Sequence, residues 1–156
     1  MLIAVVSDTH RDKSTIKKLG EIIEKADIMI HLGDNVADAE ELGKVYRNKI
    51  INVRGNCDFG LRTPLERLEE VGGIKMLITH GHKYDVKNNL TQLKSRAEEL
   101  KVNIALFGHT HVSEISFEDG IWLINPGSAS LPRDGQKSIA FIELKDGEIR
   151  PSIHSV

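Results

Sequence analysis

The sequence predicts a mixed α/β fold that contains two packed β-sheets. Over roughly the first two thirds of the chain, apolar segments of strand length alternate with segments of helical periodicity, which is the pattern of βαβ units. Over the last third, short apolar segments follow one another across turn sequences, which is typical of an antiparallel meander. No linker or internal repeat divides the chain, so we expect one domain over residues 1–156.

The predicted elements begin with a buried strand. Leu2–Val6 is an unbroken apolar run, which indicates a strand that is buried on both faces. A helix follows, and we expect Ser14 to cap its N-terminus. The apolar positions of this helix recur at helical spacing and are Ile16, Leu19, Ile22, Ile23 and Ala26.

Strands and two further helices then alternate. Apolar residues recur at helical spacing from Val36 to Tyr46 and again from Leu90 to Leu100, which predicts a helix over each segment. A loop is expected around Gly55 to Pro64. The predicted strands between these elements are Ile28–Ile30, Ile50–Val53, Leu65–Val71, Ile74–Ile78 and Ile104–Phe107.

Four short strands complete the chain. Turn sequences separate them at Asp119–Gly120, Pro126–Gly127 and Asp146–Gly147. The predicted strands are Val112–Phe117, Ile121–Asn125, Ser138–Leu144 and Glu148–Ser152.

Composition indicates a cytoplasmic globular protein. The 21 Lys and Arg residues and 23 Asp and Glu residues are well mixed, and only 4% of residues are aromatic, which disfavours a long nucleic acid as ligand. A single cysteine, Cys57, excludes an intramolecular disulfide and suits a reducing compartment. No apolar run approaches the ~20 residues that span a bilayer, and no basic region precedes the first apolar run, so we expect neither a membrane segment nor a signal peptide.

Five of the predicted strands end directly in a cluster of Asp, His, Asn and Gly residues. In an α/β sheet, ligands bind beyond the carboxyl ends of the strands, where the loops converge. The sequence therefore predicts one pocket lined by carboxylate, imidazole and amide groups. The clusters are Ser7–His10, His31–Asp34, Arg54–Asp58, Thr79–His82 and Gly108–His111.

Carboxylate with imidazole is the ligand set of Mn²⁺, Fe²⁺, Zn²⁺, Co²⁺ or Ni²⁺. The candidates outnumber the four or so ligands of a structural zinc, whereas two divalent ions that share a carboxylate accommodate them. The candidate ligands are Asp8, His10, Asp34, Asn56, His80, His109 and His111. Two divalent ions with two aspartates leave a surplus of about +2, or about +1 with a bridging hydroxide, which suits a phosphate ester attacked by metal-activated water.

Each cluster alone has a plainer interpretation. An Asp-x-His pair occurs at caps and surfaces, and Asn56 by itself is a typical turn residue. Their joint occurrence at five strand ends favours a metal site, because no structural requirement repeats such a pattern five times. We expect His31 and His82 to support neighbouring ligands, and we assign no role to His154.

Together the five clusters resemble the signature of the calcineurin-like metallophosphoesterases. With Asn125–Ser128 added, the chain is similar to the short bacterial and archaeal phosphodiesterase branch of that superfamily, in order from Met1 to about Ser128. The resemblance implies a four-layer α/β/β/α sandwich, with two mixed sheets face to face and helices outside. It also implies that Asp34 bridges two metals and that Asn125–Ser128 forms a turn beneath them. One metal would be held by Asp8, His10 and His111, and the other by Asn56, His80 and His109.

Cys57 occupies a position where many members of that superfamily carry a histidine that is thought to protonate the leaving group. A thiol with a pKa near about 8.5 is less well matched to neutral pH than an imidazole near about 6.5. The short branch shares this cysteine, so the difference fits a subgroup. Beside the metal ligands, Cys57, Asp58 and His82 are the candidate catalytic residues.

We therefore predict a hydrolase that uses two divalent ions, with Mn²⁺ favoured, to cleave a small phosphodiester, with monoesters as a second substrate class. The alternative is a non-catalytic protein-binding scaffold of the same fold, like the retromer subunit, which has lost the residues matching Asp34 and Asn56. Both are present here, which favours catalysis. A nuclease is disfavoured by the balanced charge, and a homo-oligomer is compatible with the sequence.

Overall fold

The ten predicted strands and three predicted helices are all present in the computed structural model, which describes residues 1–156. The strands are β1 (Leu2–Val6), β2 (Ile28–His31), β3 (Lys49–Asn52), β4 (Glu66–Val71), β5 (Ile74–Thr79), β6 (Ile104–Leu106), β7 (Ser113–Glu118), β8 (Ile121–Pro126), β9 (Ser138–Lys145) and β10 (Glu148–Ser155). The helices are α1 (Lys13–Ile23), α2 (Val36–Leu42), α3 (Thr91–Leu100) and an unpredicted 3-10 helix (His82–Tyr84). No helix combines the length and the apolar composition that a transmembrane span requires.

The strands form two mixed sheets of five strands each. The first sheet has the order β10-β9-β1-β2-β3, and the second has the order β4-β5-β6-β8-β7. In the first sheet β1 runs parallel to β2 and antiparallel to β9. In the second sheet β6 lies between β5 and β8 and runs parallel to both.

The prediction of one continuous meander over the last third was wrong. β7 and β8 form a hairpin in the second sheet, whereas β9 and β10 form a hairpin in the first sheet. The chain crosses from one sheet to the other between β8 and β9. Turn sequences report which neighbouring strands pair, but the choice of sheet depends on long-range partners, here β6 for β8 and β1 for β9.

Four layers result, as the family resemblance implied. Alternate residues of β1 point to opposite faces, so that Ile3 and Val5 pack between the two sheets while Ala4 and Val6 pack on the side of α1 and α2. The outer face of the second sheet packs against α3 through residues such as Leu93. Burial on both faces explains why the strand sequence of β1 is a continuous apolar run.

The N-cap of α1 is Asp12 rather than the predicted Ser14. The Asp12 carboxylate accepts hydrogen bonds from the backbone N–H groups of Ser14 at 3.0 Å and Thr15 at 3.3 Å. Asp12 has extended backbone angles and the helix begins at Lys13, so Ser14 already lies in the first turn. Aspartate and serine are comparable caps, and the sequence does not show at which of the two the backbone turns into the helix.

Candidate metal centre

The turns after β1, β2, β3, β5 and β6 meet at one edge of the sandwich. The backbone N–H of His109, after β6 in the second sheet, donates to Asp8 Oδ2, after β1 in the first sheet, at 3.2 Å. His80 Nδ1 lies 2.9 Å from the carbonyl oxygen of Leu32, which again joins the two sheets. The candidate centre therefore lies at the seam between the sheets.

Five of the seven predicted metal ligands have a left-handed backbone conformation. This conformation is uncommon for residues other than glycine, and clusters of it mark functional sites because the surrounding structure has to enforce it. The φ angles are 54° at Asp8, 47° at His10, 55° at Asp34, 67° at His109 and 60° at His111.

Two glycines let the turns approach each other closely. A Cβ atom at Gly55 would overlap Asp34 Oδ1, and a Cβ atom at Gly108 would overlap the Ser7 hydroxyl and lie 2.9 Å from Asp8 Oδ2. These positions therefore exclude any side chain, because the atoms in the way belong to Asp34, Asp8 and Ser7, which are buried.

A first group of side chains surrounds the carboxylate of Asp8, which is fully buried. One ligand atom from each of Asp8, His10, Asp34 and His111 lies within 4.8 Å of the others. Asp8 Oδ1 is 3.1 Å from His111 Nε2 and 3.8 Å from His10 Nε2.

A second group contains Asp34, His80 and His109, whose ligand atoms also lie within 4.8 Å of one another. His80 Nε2 is 3.4 Å from Asp34 Oδ2, and the ring centroids of His80 and His109 are 5.0 Å apart. Asp34 belongs to both groups, so its carboxylate is the one that can bridge two ions.

The buried donor atoms of this site fit divalent metal ions. Asp8 Oδ1 and His80 Nε2 are buried and have no hydrogen-bond partner, although such atoms cost about 1–3 kcal/mol when unsatisfied. The other ring nitrogens of His80 and His111 are placed to donate to the carbonyl oxygens of Leu32 and Leu131 at 2.9 and 2.6 Å, which leaves their Nε2 lone pairs free for a metal.

The histidines of the second group differ in pKa. Burial lowers the pKa of His80, but the carboxylates of Asp34 and Asp8 outweigh burial and raise it overall. Burial and then the neighbouring His80 lower the pKa of His109 to about 4. His109 is therefore neutral at pH 7, whereas the raised pKa of His80 favours the protonated form that cannot bind a metal, so metal binding should weaken as the pH falls.

Asn56 is the one predicted ligand that is neither a carboxylate nor an imidazole. It lies exposed on the turn after β3, and its Nδ2 atom is 3.6 Å from Cys57 Sγ. Cys57 is also exposed, and its backbone N–H donates to Asp34 Oδ1 at 2.9 Å. Partial burial and then the Asp34 carboxylate raise the pKa of the thiol to about 11, so the thiol remains protonated at neutral pH.

The surroundings of Asp58 do not fit the catalytic role predicted for it. Its buried carboxylate accepts four backbone N–H groups, two on each oxygen. Oδ1 accepts from Asn35 at 3.0 Å and Val36 at 2.9 Å, and Oδ2 accepts from Asp34 at 2.9 Å and Gly55 at 2.8 Å. Asp58 therefore holds two turns together at the start of α2, a role that the sequence does not distinguish from catalysis.

His82 and His31 lie beside the two groups. The ring of His82 is 5.5 Å from that of His80 and 6.1 Å from that of His109, and its buried Nδ1 atom has no partner. Burial and then the charge of His80 lower the pKa of His82. His31 Nδ1 accepts a hydrogen bond from the backbone N–H of Gly33 at 3.2 Å, which is the supporting position expected for it.

Further residues support the site, and two of them were not singled out from the sequence. The hydroxyls of Ser128 and Ser130 both donate to the carbonyl oxygen of Asp8, at 2.8 and 3.0 Å, and Asn125 Nδ2 donates to the carbonyl oxygen of Gly108 at 3.1 Å. Ser128 and Asn125 belong to the turn expected beneath the site. Ser130 and Asp38, whose carboxylate contacts the turn after β1, lie outside every recognised motif.

Comparison with known proteins gives a consistent assignment. The sequence profile of the calcineurin-like phosphoesterase superfamily domain matches residues 1–147. The chain is 36% identical over 150 residues to the probable metallophosphoesterase YsnB of Bacillus subtilis, covering 94% of this chain and 86% of the relative. It is 28% identical to the phosphodiesterase MJ0936 of Methanocaldococcus jannaschii, covering 96% of this chain and 97% of that protein.

Solved structures share the fold. A conserved protein of Streptococcus pneumoniae, described as a predicted phosphoesterase, is 31% identical and superposes with a TM-score of 0.83, covering 99% of this chain and 88% of the other. Vps29 of Entamoeba histolytica superposes with a TM-score of 0.81 over 100% of this chain and 99% of its own. The latter is only 19% identical, so the similarity concerns the fold alone.

Proposed function

The chain belongs to the calcineurin-like phosphoesterase superfamily, and from that membership we propose that it is a phosphodiesterase that uses two divalent metal ions to hydrolyse a small phosphate ester. One observation carries the proposal: the Asp34 carboxylate is common to two groups of ligands, and buried atoms of both groups lack hydrogen-bond partners. In this proposal Asp8, His10 and His111 hold one ion, His80 and His109 hold the other, and the exposed Asn56 completes the second set.

Bound divalent ions would lower the pKa of a water molecule and offset the charge of the phosphate. The protein side chains perform the remaining tasks. Asp8 and Asp34, held by neighbouring hydroxyl and backbone N–H groups, fix the positions of the ligands. Cys57 stands beside Asp34 as a protonated thiol and is the proposed donor to the leaving oxygen. His82, with a lowered pKa and a free Nδ1 atom, is the proposed neutral contact to a substrate oxygen.

Two exposed apolar side chains, on segments that adjoin the site, support a diester with an apolar substituent. Phe59, which follows Asp58, is 87% exposed, and Leu131, whose carbonyl oxygen is 2.6 Å from His111 Nδ1, is 56% exposed. Large apolar groups beside a polar centre mark a binding surface. A second ester group on the phosphate is the part of the substrate that such side chains can contact. Mn²⁺ is the proposed ion, since carboxylate and imidazole ligands suit it.

The test measures hydrolysis by protein that has been stripped of metal and then supplied with each divalent ion in turn. Aryl and alkyl phosphodiesters and the matching monoesters form the substrate panel. We expect activity to return with Mn²⁺ and to be greatest on aryl diesters. Lack of hydrolysis with every ion and ester would contradict an enzymatic role, and a preference for monoesters would contradict the diester assignment alone.

A pair of variants tests the apolar contact. Phe59→Ala should raise KM for an aryl diester about three- to tenfold, because the ring no longer covers the aryl group. Phe117→Ala removes another exposed phenyl ring, 58% exposed, on β7 away from the site, and should leave KM unchanged. Equal effects of the two substitutions would show that Phe59 does not contact the substrate.

The alternative function is a protein-binding scaffold. It is considered because the chain shares its fold with Vps29. The retained Asp34, which belongs to both ligand groups, and the unpartnered atoms of Asp8 and His80 favour catalysis. Stoichiometric metal binding with no hydrolysis of any ester would favour the scaffold.

We further propose that residues 1–156 act as one cytoplasmic domain, because the cluster between the sheets draws side chains from Ile3 to Leu144 and the single cysteine is exposed and unpaired.

A further inference from the structure

Asp38 lies in the first turn of α2 and is 4% exposed. Its Oδ2 atom accepts hydrogen bonds from the hydroxyl of Thr9 at 2.6 Å and from the backbone N–H of Arg11 at 2.9 Å. Thr9 and Arg11 are the two neighbours of His10. One carboxylate oxygen therefore accepts hydrogen bonds from the turn after β1 on both sides of His10, a predicted metal ligand.

Further hydrogen bonds connect Thr9, through His31, to the turn that carries Asp34. The backbone N–H of Gly33 donates to His31 Nδ1 at 3.2 Å, and since Nδ1 is the acceptor, the neutral ring carries its proton on Nε2. His31 Nε2 lies 3.2 Å from the Thr9 hydroxyl oxygen, which accepts a hydrogen bond from Nε2–H, while the hydroxyl itself donates to Asp38 Oδ2. The donor and the acceptor of each hydrogen bond are thus fixed in the series that runs from the Gly33 N–H through His31 and Thr9 to Asp38.

The turn after β1 needs such support, because Asp8, His10 and Arg11 all have positive φ angles, of 54°, 47° and 59°. α2 begins at Val36, two residues after Asp34, so Asp38 is carried by the same short segment as the bridging ligand. We propose that Asp38 is a positioning residue that, through Thr9 and His31, fixes His10 relative to Asp34 and so sets the affinity of the metal centre. This inference rests on the metal centre of the proposed function.

The experiment measures Mn²⁺ binding to metal-free protein by titration calorimetry at pH 7. Asp38→Ala removes the acceptor, and we expect it to weaken binding 10- to 100-fold at one site, the usual range for a residue that orients a ligand. Asp38→Asn keeps an oxygen for both donors and should bind within about threefold of the unaltered protein. Glu40→Ala, an exposed position on the same helix, is the matched control and should bind unchanged.

Thr9 provides an independent pair of variants. Thr9→Val removes the hydroxyl at nearly constant volume and should weaken binding as Asp38→Ala does, whereas Thr9→Ser should restore it. This pair decides the question if Asp38→Ala does not fold, as judged by circular dichroism. Unchanged Mn²⁺ affinity in folded Asp38→Ala or in Thr9→Val would overturn the inference while leaving the proposed function intact. Failure of the unaltered protein to hydrolyse esters while it still binds Mn²⁺ would overturn only the function.

Discussion

The carboxylate of Asp58 accepts a hydrogen bond from the backbone N–H of Asp34 at 2.9 Å, and from that of Gly55 at 2.8 Å. We expect Asp58→Asn to lower the free energy of unfolding of the metal-free protein by about 1–3 kcal/mol, because an NH₂ group replaces an oxygen that accepts two buried donors. Urea denaturation measures this change. Asp27→Asn, at an exposed carboxylate that accepts from Leu2 N–H, should cost less than about 1 kcal/mol. Equal losses would contradict the special role of Asp58.

The bridging assignment predicts a selective loss in Asp34→Asn. An amide bridges two cations poorly, so we expect hydrolysis to fall by more than about a hundredfold and bound metal to fall from about two ions to one per chain. Elemental analysis and circular dichroism on the same sample separate metal loss from unfolding. Asp119→Asn, an exposed carboxylate in an ion pair with Lys94, serves as the control. Activity within about threefold of the unaltered enzyme, less than ~1 kcal/mol, would exclude a bridge at Asp34.

The surplus positive charge of a loaded centre predicts product inhibition. Inorganic phosphate should compete with the ester at millimolar concentrations, because it presents the same oxygens to the same charges. Initial rates at several substrate concentrations give the pattern, with chloride at equal ionic strength as the control. Inhibition that is absent, or that does not change the apparent KM, is inconsistent with the site.

If Cys57 donates the leaving-group proton, the rate of hydrolysis should depend on the pKa of the leaving group. A thiol whose pKa is raised to about 11 donates a proton sluggishly, so activated aryl esters should be cleaved better than alkyl esters. Cys57→His installs an acid that titrates near neutrality and should accelerate poor leaving groups by up to about 10²–10⁴-fold, with little change for nitrophenolate. The measurement is log kcat/KM against leaving-group pKa, with Cys57→Ser as the control. Parallel lines for the unaltered enzyme and Cys57→His would rule out a general acid at this position.

Helix capping gives a prediction outside the metal centre. Asp12→Ala should lower the free energy of unfolding by about 1 kcal/mol, whereas Ser14→Ala should cost less, since Asp12 caps α1. Hydrogen bonds from Ser14, then Thr15 and Lys137, lower the pKa of the Asp12 carboxyl. Its contribution is therefore present above the unfolded pKa of about 3.9 and declines as the pH falls toward the folded value. Denaturation of both proteins between pH 7 and pH 3 should show their difference shrinking, and a constant difference would contradict the charged cap.

The strands and the residues that gather at the candidate centre could be predicted from one signal in the sequence. A strand buried on two faces is apolar throughout, as in β1 and β2, so the first polar residues after it stand out in the sequence. Asp8 and Asp34 are visible for this reason. Asp8 and Asp34 lie close together because they follow neighbouring parallel strands, whose ends meet at one edge of the first sheet.

Other features depend on contacts that leave no local pattern. Asp38 resembles any acidic residue in a first helical turn, and only the fold shows that its carboxylate meets Thr9 and Arg11. Asp58 and a catalytic carboxylate are equally polar in sequence, but four backbone donors distinguish them in space. The division of the last four strands between two sheets likewise depends on partners far away in the chain.

The pairing of β1 with β9 has a consequence for the order of assembly. β1 carries Asp8 at its end, yet one of its two neighbours in the sheet comes from Ser138–Lys145, near the opposite end of the chain. The carbonyl oxygen of Asp8 is also bound by Ser128 and Ser130. A growing or truncated chain that stops before these residues would leave one edge of β1 open, so we expect metal affinity to develop only after β9 has paired with β1.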